Sequence, residues 1–215
     1  SICEKFCELS CPRLVDWMPR EPRSMVSARS AGVVHSGASN DVIQALLVAA
    51  RSADLIDGAV MLDMDPYTLE PVARVATTVD EIVGSVGMQY LWAPVLSALN
   101  EAIFKLGLTK LAVVGSPCVA EGARRFMSAE HERLWPYQKA IRLTIASFCT
   151  GIYMPEMVTE LLERGKGIAR QEIRSLTTSV TEGTLTAMLW DGTEHTIPLT
   201  EVEPFTRKGC GSCDD

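Results

Sequence analysis

Residues 111–149 read LAVVGSPCVAEGARRFMSAEHERLWPYQKAIRLTIASFC and allow few architectures. Leu111–Val114 is a continuous apolar run of strand length, Gly115-Ser116-Pro117 a tight turn, and a helix runs from Val119. Pro117 suits the first turn of that helix, where its missing N–H has no intrahelical partner to lose. A second apolar strand, IRLTIASF (141–148), ends at Cys149. Two strands joined through a helix predict a right-handed crossover with the strands parallel. In such units ligands gather beyond the carboxyl ends of the strands. Cys118 and Cys149 each follow one of those ends, so topology puts them on one rim.

The flanking sequence fits an α/β protein with a mixed sheet flanked by helices. In DVIQALLVAARSADL, Val42, Ala45, Leu46, Ala49 and Ala50 recur at helical spacing, and Ser39 or Asn40 can cap the helix. GAVMLDM (58–64) is a strand. Thr78 and Glu81 form a capping-box pattern that opens a short helix. APVLSALNEAIFKLG (93–107) predicts a helix closed by Gly107, and another helix is expected at about 155–165. In TLTAMLWDGTEHTIPL (184–199), Asp191-Gly192 between alternating runs predicts a two-residue hairpin. Three parts are expected: a Cys- and Pro-containing segment at 1–30, an N-terminal half at 31–109, and a C-terminal half at 110–215.

Composition excludes several functions. The net charge of −7 gives no basic face for a phosphate backbone, and 6% aromatic residues offer little surface for stacking bases, so no nucleic acid is expected. No apolar stretch has the length of a transmembrane helix. SICEKFCELSCPR carries charges and cysteines where a signal peptide is apolar, so the cytosol is the expected compartment. Ser-His-Asp order, HExxH and P-loop patterns are absent.

Seven cysteines is an odd number, and a chain of 215 residues with 47% hydrophobic content needs no disulfide staples. The later four run Cys118, thirty residues, Cys149, sixty residues, Cys210, two residues, Cys213. Four thiolates bind zinc or an iron–sulfur cluster. Structural zinc favours two C-x-x-C knuckles and only one is present, so a cluster on the strand rim is the better fit. The alternative is that Cys118 and Cys149 are small buried apolar residues. Cys7-x3-Cys11-Pro12 matches the tail of a bacterial ferredoxin run, while Cys3 stands one residue too far, so a second cluster there is left open.

Three stretches, VVGSPC, SFCTG and GCGSCDD, resemble the beta-subunit family of coenzyme F-420 hydrogenases and dehydrogenases, which includes formate dehydrogenase beta subunits. Val-Gly-Thr-Pro-Cys-Gln of the family is similar to Val114–Val119, its Phe-Cys-Met to Phe148-Cys149-Thr150, and its late Cys-x-x-Cys to Cys210–Cys213. LIDGAVML (55–62) and MQYLWAPVLSAL (88–99) also fall where the family has related stretches. The resemblance implies a flavin- and iron–sulfur-dependent oxidoreductase subunit. Cys118, Cys149, Cys210 and Cys213 would hold a 4Fe–4S cluster beside FAD, which exchanges hydride with coenzyme F-420 as substrate. The implied partner is the catalytic subunit of a hydrogenase or dehydrogenase, or ferredoxin.

The family's flavin region maps to Ser39, Asn40, Asp41, Gln89 and Tyr90. Asn40-Asp41 stands where the family has Gly-Gly, and Gln89 where it has Lys. The family also continues past the point where this sequence stops at Asp215, so a C-terminally truncated fold is expected. Two other functions use the same residues: a ferredoxin-linked reductase, and a non-catalytic protein with a structural zinc. His35 precedes the candidate flavin loop. His131 and His195 are expected to face solvent. Arg207-Lys208 is either a solvated pair or a source of positive charge for a reduced cluster or flavin.

Overall fold

The computed structural model describes residues 22–27, 41–65, 67–85, 91–149 and 151–212. It opens with α1 (Asp41–Ser52), followed by β1 (Gly58–Met64) and β2 (Pro71–Ala76). Next come α2 (Val79–Gly84), an irregular helix α3 (95–105), β3 (Leu111–Gly115) and α4 (Pro117–Ser128). Helix α5 (Trp135–Ala140) runs into β4 (Ile141–Ala146). After α6 (Met157–Gly165) the chain forms β5 (Ile173–Ser179), β6 (Thr184–Leu189) and β7 (Glu194–Pro198). It closes with α7 (Leu199–Val202) and two tight helical turns, Glu203–Phe205 and Lys208–Ser212.

The first sheet has the order β2-β1-β3-β4, with β1, β3 and β4 parallel and β2 antiparallel at the edge. It takes two strands from each side of residue 109. Every residue of β1 and β3 is buried, the pattern of central strands covered on both faces. One face carries Leu47, Ile56 and Ile82 from the α1 side, and the other carries Leu99, Ala102 and Ala123 from α3 and α4. Burying each such Leu or Ile stabilises the fold by about 1.5–3 kcal/mol. Asp57 aligns the parallel pair at its start: the Thr109 and Lys110 N–H groups donate to its carboxylate at 2.7 and 3.0 Å.

The second sheet is an antiparallel meander, β5-β6-β7. It packs with α6 around Met157, Leu162, Ile173 and Leu185, in a core that also holds Met64, Leu69 and Leu91. That shared core joins the two sheets.

Several local readings meet their structure. The Thr78 hydroxyl accepts from Glu81 N–H while the Glu81 carboxylate accepts from Thr78 N–H, a complete capping box. The helix of 93–107 is shorter and less regular: a 3-10 turn at Val95–Ser97, one α turn, then a wider π turn at Glu101–Lys105. It is followed by Gly107 at φ 67°. The hairpin after β6 is longer than two residues. Leu189 and Thr193 still pair, through a 2.8 Å bond, so residues 190–192 form the loop. Gly192 sits at φ 88°, as the left-handed closing residue of a three-residue hairpin requires. His195 lies half-buried in β7, and half-buried His131 accepts from Arg133 N–H at 3.2 Å.

Candidate functional site

Strand β3 ends in the tight turn that starts α4. A Cβ on Gly115 would stand 2.7 Å from Val119 Cγ1, so only glycine lets α4 begin this close to the strand. Buried Ser116 precedes the helix, and its carbonyl accepts from Val119 and Ala120 N–H. The Ser116 hydroxyl makes no helix cap; its oxygen lies 3.1 Å from Cys118 Sγ. One turn further along α4, burial raises the Glu121 pKa, but Arg124 and Arg125, bonded at 2.8 and 3.0 Å, outweigh it and hold it below the usual carboxylate range.

Gly115 pairs with Ala146 as the last rung between β3 and β4, so Cys118 and Cys149 each stand three residues beyond the same rung. They leave the same carboxyl rim. Cys210 approaches from another direction. Tyr153 and Thr206 form an antiparallel bridge, flanked by Met154 N–H to Phe205 carbonyl and Arg207 N–H to Ile152 carbonyl, both 2.8 Å. In sequence, Cys149 lies three residues before Ile152 and Cys210 three residues after Arg207. Cys210 N–H then donates to the Arg207 carbonyl at 2.8 Å, which begins the last turn. Cys118, Cys149 and Cys210 are half-buried thiols. Among the described residues, no three Cys, His, Asp or Glu side chains gather into one ligating group. Phe148, beside Cys149, is 100% exposed.

Cys118 opens on a narrow cleft with about 50 Å³ of space for water, walled by Leu62, Leu91, Trp92, Ile152 and Arg207. The Arg207 guanidinium stacks on the Trp92 ring at 5.5 Å. On the far side of this pair a wider pocket of about 530 Å³ is lined by Met154, Glu156, Phe205 and Lys208, among others. Arg207 borders both the cleft and this wider pocket, while exposed Lys208 borders the wider pocket.

Ser39, Asn40, Gln89, Tyr90 and Cys213 lie outside the described residues, as do Cys3, Cys7, Cys11 and His35. Asp41 begins α1. What the structure adds is Gln44, one turn into α1 and 2% exposed. Its Nε2 donates to the Ser85 carbonyl at 3.0 Å, which ties α1 to the end of α2, and its buried Oε1 has no hydrogen-bond partner among the described residues. Sequence reasoning missed Gln44 and Trp92. Gln44 breaks the apolar face of its helix, and that was the available signal.

The fold and rim define an α/β protein with a mixed sheet and thiols beyond adjacent parallel strands. Comparison with known proteins gives the family. Residues 108–215 match the C-terminal region of the coenzyme F420 hydrogenase/dehydrogenase beta subunit, and residues 25–100 match the N-terminal region of the same family. The chain belongs to the coenzyme F420 hydrogenase/dehydrogenase beta-subunit family. An uncharacterized protein of Methanocaldococcus jannaschii is 33% identical over 217 residues, covering 97% of this chain and 59% of its own length. The coenzyme F420 hydrogenase subunit beta of Methanosarcina barkeri is 24% identical, covering 88% of this chain and 65% of its own. The chain thus spans about three fifths to two thirds of these relatives. A chain in a solved structure of the F420-reducing [NiFe] hydrogenase complex from Methanosarcina barkeri superimposes with a TM-score of 0.72 at 22% identity, covering 80% of this chain and 58% of that one. Among the described residues no helix is long and apolar enough to cross a membrane.

Proposed function

We propose that this chain is the flavin- and iron–sulfur-carrying part of an oxidoreductase that exchanges electrons between coenzyme F420 and a partner redox subunit. The observation that carries the reading is that Cys118 and Cys149 each follow one rung of adjacent parallel strands, with Cys210 three residues beyond Arg207 of the Tyr153–Thr206 bridge; the three do not gather into a ligating group in this structure. With Cys213 they supply four soft thiolate donors, the set a 4Fe–4S cluster takes. The cluster would carry single electrons, and FAD would convert a hydride into them.

Ser39, Asn40, Asp41, Gln89 and Tyr90 are the proposed flavin contacts. Gln44 supports that assignment, because it ties the first turn of α1 to Ser85, four residues before Gln89, and its Oε1 is an acceptor without a partner among the described residues. Fully exposed Phe148 offers an apolar contact to a partner beside Cys149. The test is anaerobic mixing of reduced coenzyme F420 with the FAD-reconstituted protein and a viologen acceptor. FAD-dependent oxidation of the coenzyme, matched by viologen reduction, is the expected result. Bound flavin without coenzyme turnover would instead indicate a ferredoxin-linked reductase.

A further inference from the structure

The amino ends of the parallel strands, opposite the cysteine rim, carry exposed apolar side chains. Helix α4 begins beside Cys118 and ends one residue past Met127, Phe104 stands in the last turn of α3 before β3, and Trp135 opens the helix that leads into β4. Phe104, Trp135, Leu106 and Met127 leave 61%, 54%, 50% and 41% of their surface exposed. Phe104 is braced from beneath. Its ring meets Tyr137 edge-on at 5.8 Å, Tyr137 packs on Phe126 at 5.8 Å, and the Tyr137 hydroxyl donates to Asn100 Oδ1 on α3. Apolar side chains gathered at one end of a fold and bordered by charge mark a contact surface.

The bordering charges select the occupant. Exposed Glu101 and Lys105 flank Phe104 on α3, and among the described residues neither side chain has an ion-pair partner. They do not pair with each other, whereas Glu160 and Arg164 pair at the same spacing in α6. An acid and a base one turn apart on one helix face are complementary to that same face run antiparallel. A two-fold axis beside α3 brings Glu101 of one copy to Lys105 of the other and, by symmetry, the reverse. Phe104 then lies in the seam between the two pairs. We infer that this face docks a second copy of the chain, as a two-fold dimer through α3, with Phe104 and Trp135 as its apolar anchors. The dimer leaves the cysteine rim at the far end uncovered, and neither a cluster nor a flavin is needed to form it.

The experiment is sedimentation equilibrium of the intact chain across the micromolar range, with circular dichroism on every variant. The wild type is expected to show a reversible monomer–dimer equilibrium. Phe104→Asp should raise the dimer Kd by about tenfold or more, because it sets two carboxylates in the seam. Glu101→Lys should also raise it by about tenfold, because it opposes like charges across the axis. Glu101→Lys combined with Lys105→Glu reverses both charges in both copies and should restore most of the wild-type affinity. Wild-type protein that stays monomeric throughout overturns the inference, as does a dimer whose Kd is unmoved by Glu101→Lys. If Phe104→Asp fails to fold, the exposed charge pair decides: failure of the double reversal to recover what Glu101→Lys loses overturns the antiparallel α3 seam.

Discussion

Replacing Gly115 with alanine drives a Cβ to within 2.7 Å of Val119 Cγ1 and 2.8 Å of Val119 Cβ. Separations below 3.0 Å do not persist, so either Val119 turns or α4 moves away from β3. Both outcomes are expensive, because Gly115 ends a fully buried strand and Val119 is pinned by its bond to the Ser116 carbonyl. Overpacking of this kind costs about 1–3 kcal/mol. The clash is with one side chain, which makes the reasoning testable by a double-mutant cycle. Val119→Ala alone loses two methyl groups at a half-buried position, at about 1 kcal/mol. Gly115→Ala with Val119→Ala removes the Cγ contacts but keeps the 2.8 Å contact to the Cβ of residue 119, so relief is partial and the double variant should be more stable than the sum of the singles by about 0.5 kcal/mol. Urea unfolding of the four proteins, compared at equal m-values, gives that coupling. Strict additivity would refute the claim that Gly115 is required for close approach to Val119.

The Thr77 and Thr78 N–H groups, with the Thr77 hydroxyl, hold the Glu81 carboxyl at about 2. Its folded pKa is depressed, so its contribution is full above the ordinary carboxylate range and is lost as pH falls toward about 2; the stability gap between wild type and Glu81→Gln should shrink over that window in urea titrations. Thr78→Ala, which removes the other half of the box, should cost about 1 kcal/mol by the same assay. Gly192→Ala places a Cβ at φ 88° and should destabilise by about 1–2 kcal/mol, read as a lower Tm. Ser116→Ala deletes the hydroxyl 3.1 Å from Cys118 Sγ; with Cys118 as a ligand of the proposed cluster, it should shift that cluster's midpoint negative in an anaerobic redox titration, because a hydrogen bond to ligand sulfur raises the potential.

The β3–α4–β4 unit was legible because its signals are local: continuous apolar strands, a glycine at the crowded turn and a proline at the helix start. Topology then carried Cys118 and Cys149 to one rim. Other elements were silent for physical reasons. Strand β2, PVARVA, is a sheet edge beginning at a proline, and its Arg74 faces Asp63, so it shows no long apolar run. Strand β5, IRSLTTS, is polar enough to read as loop. Helices α3 and α6 were themselves legible from apolar spacing, but their π turns, which widen the helix locally, were not. The approach of Cys210 depends on Tyr153 pairing with Thr206, a contact with no local signature. Arg207 and Lys208 are equivalent in sequence; that Arg207 stacks on Trp92 has no local signature.

The central claim, that the rim thiols hold a cluster, is tested most directly by composition. Protein purified without oxygen should contain about four irons and four sulfides per chain, with a visible band bleached by dithionite, and Cys149→Ser should lose both. Colourless protein carrying one zinc per chain, with neither iron nor sulfide, would contradict the account and make the same cysteines a structural clamp.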